Sequence, residues 1–263
     1  MKVWPTLIRR ELWENRSLWI APTAVAALII GAAALSLGSM NFNAIPVATR
    51  APNFSRGMLP ASVWGIATVI MLVGAIAVMS YLLDCLYAER RDRSILFWKS
   101  LPVSDGYTVL AKFALGLVIA PLFVYLLAVA THLVCSAMLL LRQGGFEFLS
   151  RTWGNGIWFS IQGDLLGRLV LSLIWYAPLA AYLMLASVLS RRATMLTAVL
   201  PPLVLALAER LVLDTTYLGA FLLHRLAPAG LSDVTEPQLW LGLPVAAALL
   251  YLVVRLRRYR DDT

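Results

Sequence analysis

Long runs of apolar residues constrain the fold of this chain more than any other feature. A helix of roughly 20 apolar residues crosses a hydrocarbon core of about 30 Å, and several runs here reach that length. Six spans are predicted, near 18–37, 62–86, 107–141, 166–190, 194–213 and 238–255. The chain is 60% hydrophobic, whereas soluble domains are about 45–50% apolar. The sequence therefore predicts an all-α integral membrane protein, with six transmembrane helices in a single domain that covers residues 1–263.

Three of the predicted spans have unusual features. The third is too long for one crossing, so we expect its cytoplasmic end to project from the bilayer. Only Arg191 and Arg192 separate the fourth span from the fifth, which predicts a tight helical hairpin. The fifth contains Pro201 and Pro202, and proline inside a helix kinks or breaks it.

The basic residues predict the orientation. With the N-terminus in the cytoplasm, 15 of the 22 lysines and arginines fall in cytoplasmic segments. This asymmetry is typical of multi-pass proteins of the cell inner membrane and places both termini in the cytoplasm. The net charge of +8 is thereby explained without a nucleic-acid partner, and none is predicted.

The first 17 residues, MKVWPTLIRRELWENRS, precede the first span. On a helix, Trp4, Ile8 and Leu12 share one face, and most of the charges lie elsewhere. This pattern is typical of an interfacial amphipathic helix, and a frayed tail is the alternative. The apolar run that follows is longer than the 7–15 residues of a signal peptide, so we expect it to be retained as a span.

Catalytic and metal-binding patterns are absent from the sequence. It contains no phosphate-binding G-x-x-x-x-G-K-[ST] loop, no H-E-x-x-H pair and no G-x-S-x-G elbow. Cys85 and Cys135 lie in or beside apolar runs, and His132 and His224 are far apart. We therefore interpret both cysteines as buried apolar residues and His132 as a packing or hydrogen-bonding residue, and predict no metal site.

A small group of charges lies near the predicted outer end of the fifth span: Glu209, Arg210 and Asp214. The spacing of Arg210 and Asp214 allows an ion pair on one helical face. The group is either an outer gate or substrate contact, or an interfacial cluster whose side chains reach the headgroups, and we favour the second. Acids nearer the midplane, which an ion-coupled carrier would need, are missing, so the energy source is expected in another chain.

The stretch ERRDRSILFWKSLPVSD, from Glu89 to Asp105, joins the second and third spans on the predicted cytoplasmic side. It surrounds an apolar centre, which includes Phe97 and Trp98, with mixed charges. An aromatic centre with a charged rim is typical of a protein-binding hot spot. Pro102 ends any helix before it, and Ser104 or Asp105 can cap the third span. Alternatively, the aromatic residues lie on lipid headgroups, which leaves the dense charge unexplained.

This stretch resembles the segment between spans two and three in permease subunits of type-2 ABC transporters. The resemblance rests on Glu89-Arg90-Arg91, Ser94-Ile95, FWKSLPVSD and Lys112, and the six-span layout is similar along the full chain. It implies that a coupling helix docks on an ATPase. We call the implied residues the coupling segment: Glu89, Arg90, Arg91, Asp92, Arg93, Ser94, Ile95, Leu96, Phe97, Trp98, Lys99 and Ser100.

The resemblance also implies partners. Two separate ATPase subunits would bind ATP and Mg, so this chain would need no cofactor and would not itself be an enzyme. A second copy or a related permease would complete the membrane part. The resemblance favours export over import, and the charge-poor spans favour a hydrophobic or amphipathic substrate, such as a peptide, lipid or drug. The alternatives are a small carrier or channel that works without ATP, and a membrane scaffold that recruits a cytoplasmic protein.

Overall fold

The protein is described here from a computed structural model. The described residues are 3–39, 52–93, 104–141, 146, 150, 156–227, 230 and 234–259. They are almost entirely helical, and no β-strand occurs among them. The all-α prediction is therefore confirmed for the described part of the chain.

The helices are labelled in chain order. They are α1 (Val3–Glu14), α2 (Ser17–Ser39), α3 (Pro52–Asp84), α4 (Tyr87–Arg91), α5 (Asp105–Ala114), α6 (Ala120–Leu140), α7 (Ile157–Trp175), α8 (Ala177–Leu189), α9 (Thr194–Val212), α10 (Tyr217–Leu226) and α11 (Pro237–Tyr259). A π-helical turn, Leu115–Ile119, joins α5 to α6. Pro121 follows this turn and has no N–H to donate to Leu117, which is one reason for the local change in helical pitch.

Six stretches are long and apolar enough to cross a membrane. They are 17–36, 63–91, 105–138, 157–175, 194–212 and 237–259. Five of them match predicted spans closely. The third, 34 residues long, exceeds the length of a single crossing, as its apolar run predicted.

The fourth span differs from its predicted bounds of 166–190. The apolar helix α7 begins earlier, at Ile157, and ends at Trp175; the shorter helix α8 then runs to Leu189. Pro178 explains the interruption, because it cannot donate a hydrogen bond to the carbonyl of Ile174 and its ring collides with that carbonyl. The prediction joined two helices because hydropathy is high on both sides of the bend.

Helix α9 remains one helix despite Pro201 and Pro202. Pro202 lacks the N–H that would normally bond to the carbonyl of Ala198. The hydroxyl of Tyr182, on α8, donates to that carbonyl at 2.7 Å. A side chain of the neighbouring helix thus replaces the missing backbone bond, and the predicted break does not occur.

The chain divides into two compact units that alternate along the sequence. The first unit comprises 1–16, 78–120 and 170–263. Its core includes a contact between α8 and α11 through small residues, Ala177, Ala181 and Ala246. Small side chains allow close helix approach, which is the common way for helices to pack in a membrane.

The second unit comprises 17–77 and 121–169. Its interior contains a polar contact around His132, whose Nε2 lies 3.1 Å from the carbonyl of Val63 and whose Nδ1 lies 2.9 Å from Nε2 of Gln162. Nε2 must donate to the carbonyl, so Nδ1 accepts from the amide and the ring is neutral. The prediction that His132 is a hydrogen-bonding residue is confirmed.

Candidate functional site: a buried ion network

The first unit contains a network of charged side chains that lie in its interior, at the end of the unit where α1, α4, α5 and α11 meet. We define the ion network as Glu11, Glu89, Asp105, Lys112 and Arg257. Four of the five are buried, with exposed fractions of 2% for Glu11, 6% for Glu89, 2% for Lys112 and 4% for Arg257. Buried charges are costly unless they are paired, so their mutual geometry determines what the network does.

Glu11 enters the network from α1. Its Oε1 lies 2.7 Å from Nζ of Lys112, and its Oε2 accepts a hydrogen bond from the hydroxyl of Tyr81 at 3.2 Å. Glu11 is therefore a charged residue of α1 that lies inside the unit. The interfacial position predicted for α1 stays a prediction.

Lys112 lies at the centre of the network. It comes from the last turn of α5, within an apolar stretch, and its Nζ is also 3.1 Å from Oε1 of Glu89. One ammonium group thus contacts two carboxylates from different parts of the chain. Without them, a lysine with 2% exposure would lose most of its hydration with no compensation.

Arg257 contacts an acid at each end of the stretch between the second and third spans. It lies near the end of α11, where its Nη2 is 2.9 Å from Oε2 of Glu89 and its Nε is 3.4 Å from Oδ1 of Asp105. Glu89 is the first residue of the segment and lies in α4, and Asp105 begins the helix that follows the segment. A single guanidinium therefore connects the entry and the exit of the loop between the second and third spans.

Helix α4 is also held by hydrogen bonds to α8. The hydroxyl of Ser187 accepts hydrogen bonds from the backbone N–H groups of Leu86 and Tyr87, at 3.2 and 3.0 Å. Arg90 donates from Nη2 to the carbonyls of Ser187 and Ser190, at 2.7 and 3.0 Å. These bonds satisfy N–H groups at the start of α4 and carbonyls at the end of α8, which have no partner within their own helices.

The start of α5 has the predicted cap. The hydroxyl of Ser104 accepts from the backbone N–H of Tyr107 at 3.4 Å, and Asp105 lies in the first turn, where a carboxylate is favoured. The prediction that Ser104 or Asp105 caps the third span is confirmed. Asp105 additionally contacts Arg257, which the local pattern did not indicate.

The structure separates the coupling segment into two parts. Helix α4 ends at Arg91, and Arg93 has a left-handed backbone with φ of 54°, so an α-helix that begins at Glu89 does not continue past this point. Arg91 and Asp92 form an exposed pair at 3.1 Å. Ser94, Ile95, Leu96, Phe97, Trp98, Lys99 and Ser100 lie outside the described residues, and their role as a coupling helix stays a prediction.

The outer cluster has a different geometry from the one expected. Helix α9 ends at Val212, and Asp214 has φ of 50°, so it does not continue the helical spacing that would pair it with Arg210. Glu209 instead accepts hydrogen bonds from the backbone N–H groups of Tyr217 and Leu218, at 2.9 and 2.8 Å. It thereby caps the start of α10. A gate or substrate contact at Glu209, Arg210 and Asp214 stays a prediction.

Another buried base, Arg225, lies at the end of α10. Its guanidinium carbon is 4.5 Å from the ring centroid of Trp175, and Nη1 donates to the carbonyl of Gln238 at 3.2 Å. Burial lowers the pKa of this guanidinium from its usual value. Gly242 leaves the space that the guanidinium occupies, because a Cβ there would collide with Nη2. These contacts hold α10 against α7 and α11.

Sequence reasoning missed most of the ion network. Arg257 was counted only among the bases that orient the chain, Lys112 was in addition part of the resemblance, and Glu11 was given no site role. The available signal was the position of Lys112 inside an apolar run, because a charge there needs a partner. The identity of that partner could not be read from the sequence. Within the described residues, no group of His, Cys, Asp and Glu is suited to hold a metal ion.

Comparison with known protein families, with curated proteins and with solved structures found no match to this chain. The functional conclusion therefore depends on the sequence pattern and on the geometry of the network.

Proposed function

We propose that this chain is the membrane-spanning permease subunit of an ATP-driven exporter of the type-2 ABC kind. The coupling segment, Glu89–Ser100, would dock on a separate cytoplasmic ATPase. The observation that carries the proposal is the contact of Arg257 with both Glu89 and Asp105. A displacement of the loop between these two acids is transmitted to α11 through one side chain.

The ion network supplies a physical route for such coupling. Glu11 and Lys112 connect α1 to α5, and Glu89 connects both to α4 and α11. Separating any two of these helices would leave a buried charge without its partner, which is costly. Helices joined in this way move together when a partner binds one state of the chain better than the other.

The two parts of the coupling segment would have different tasks. Glu89 and Arg90 are used inside the chain, where they connect the segment to the helices. Phe97 and Trp98 would contact the ATPase, because large apolar residues within a charged rim are typical of binding hot spots. Two such ATPase subunits would bind ATP and Mg and supply the energy, and a second copy of this chain or a related permease would complete the transport path.

The six apolar helices favour a hydrophobic or amphipathic substrate over a free ion. The distribution of basic residues favours a multi-pass protein of the inner membrane with both termini in the cytoplasm.

Substitution of the two aromatic residues tests this proposal. Phe97→Ala combined with Trp98→Ala should abolish transport and the stimulation of ATP hydrolysis, or release the ATPase, while membrane insertion is unchanged. A matched control is Trp13→Ala with Tyr259→Ala, since both residues are exposed at 64% and 73%. Transport by the reconstituted complex and co-purification of the ATPase are the measurements. Full transport by the Phe97→Ala, Trp98→Ala variant would refute the docking role.

The same two measurements, transport and co-purification, also separate the alternatives. A carrier or channel that works without ATP would transport substrate in vesicles that contain this chain alone. A scaffold would retain a cytoplasmic protein that binds the coupling segment but hydrolyses no ATP. Either result would replace the proposed function.

A further inference from the structure

The turn between α8 and α9 borders an open groove of about 650 Å³. Two kinds of residue line it. Arg191 and Arg192 lie at one end, and apolar side chains that include Leu196, Leu200 and Pro201 extend from there along the first turns of α9. A groove that is basic at one end and apolar along its length has the chemistry of an anionic amphiphile.

The two arginines are available to a ligand. Both are exposed, and within the described part of the chain neither guanidinium has an ion-pair or hydrogen-bond partner. No acid lines the groove. The α9 N-terminus adds to the positive potential, because no side chain caps its first N–H groups. An anion at the turn would therefore be attracted by three neighbouring sources of positive charge.

The apolar part of the groove is equally exposed. Leu196 and Leu200 have exposed fractions of 59% and 48%, and α9 is the least buried of the six candidate spans. In a chain of this kind such side chains lie against acyl chains. The turn itself, residues 190–193, lies between two apolar helices and thus at the level of the headgroups. A lipid phosphate at the arginines would place its acyl chain along Leu196 and Leu200.

We propose that this groove binds one anionic phospholipid, with the phosphate between Arg191 and Arg192 and an acyl chain along α9. Arginine is well suited to this task, because its planar guanidinium matches the oxygens of a phosphate. Charge complementarity selects a phospholipid with net negative charge over a zwitterionic one. The inference does not depend on the proposed ATPase partner.

The position of the groove gives the lipid access to the coupling segment. The hydroxyl of Tyr87, on α4, donates to the carbonyl of Arg192 at 3.3 Å, and Arg90 donates to the carbonyl of Ser190 at 3.0 Å. The same turn therefore contacts the lipid on one side and α4 on the other. A bound lipid would restrict the turn and with it the start of the coupling segment.

The test uses the full chain, purified in a neutral detergent and titrated with phosphatidylglycerol, and native mass spectrometry measures the fraction that carries one lipid. Each basic side chain near an anionic lipid contributes about fivefold in affinity, so Arg191→Gln with Arg192→Gln should weaken binding about thirtyfold. Arg9→Gln with Arg16→Gln removes two exposed bases elsewhere and should leave the affinity unchanged. Phosphatidylcholine should bind no better to the wild type than to the Arg191→Gln, Arg192→Gln variant.

Three outcomes would overturn the inference. Equal weakening by the two double variants would mean that net charge alone attracts the lipid. If phosphatidylcholine bound the wild type as tightly as phosphatidylglycerol does, the arginines would not select the headgroup. Displacement of the lipid by millimolar inorganic phosphate would mean that the site binds a free anion rather than a lipid. Circular dichroism of each variant checks that the helical content is retained.

Discussion

Removal of the central base of the ion network is the sharpest test of the structure. In the Lys112→Met variant, the ammonium that lies 2.7 Å from Glu11 and 3.1 Å from Glu89 is lost. Glu89 retains Arg257 at 2.9 Å, whereas among the described residues Glu11 retains two neutral donors, Asn15 and Tyr81, and no base. The variant therefore leaves one buried carboxylate without a base.

The expected magnitude follows from this geometry. Loss of one partner from a buried ion pair costs about 3–5 kcal/mol. For a chain of this size, each kcal/mol corresponds to about 2–4 °C in the melting temperature, so a decrease of roughly 10 °C is expected. The measurement is thermal unfolding in detergent, followed by circular dichroism. Glu11→Gln alone should also destabilise the chain, because it leaves the ammonium of Lys112 with a single carboxylate.

The double variant Lys112→Met, Glu11→Gln makes the test specific. It removes the uncompensated charge, so it should be more stable than the sum of the two single changes predicts, and the difference is the interaction between the two residues. Arg9→Met is the control, because Arg9 is an exposed base on α1, the helix of Glu11. Its loss should leave the melting temperature nearly unchanged. If the single effects were additive, or if Lys112→Met were as stable as the wild type, the ion pair between Lys112 and Glu11 would be wrong.

Two further predictions concern helix packing. Gly116→Ala should destabilise the chain by about 1–3 kcal/mol. The new Cβ would lie 2.7 Å from a methyl carbon of Leu82, whose side chain is itself buried. The midpoint of unfolding measures this loss of stability. Tyr182→Phe should cost about 1–3 kcal/mol, because the carbonyl of Ala198 would lose the donor that replaces the proline N–H; thermal unfolding and faster amide exchange near the double proline would report it.

Both predictions have controls in the same chain. Gly65→Ala adds a methyl group where no atom lies within 4 Å, so it should be neutral or slightly stabilising. Tyr251→Phe removes a hydroxyl from a side chain that is 65% exposed and should have little effect. If Gly116→Ala behaved like Gly65→Ala, the close contact with Leu82 would be wrong. If Tyr182→Phe behaved like Tyr251→Phe, the hydroxyl would have no role in α9.

Within the described residues, the apolar runs alone predicted the number of helices long and apolar enough to cross a membrane, and most of their bounds. This succeeded because the length of an apolar run and the thickness of a bilayer are compared directly, without knowledge of the neighbouring helices. The cap at Ser104 and the short turn at Arg191 and Arg192 were equally local. The fourth span was misplaced because hydropathy does not record a bend, although Pro178 marked its position.

The ion network could not be predicted in the same way. Lys112 and Glu11 are 101 residues apart, and nothing in their local sequence indicates that they meet. Glu89 was predicted to face a partner protein, but its carboxylate lies inside the chain, between Lys112 and Arg257. The sequence determined that this chain is helical and has six stretches able to cross a membrane, because both properties depend on composition over about 20 residues. Which buried acid meets which buried base depends on how the helices pack against one another, and only the tertiary structure decides that.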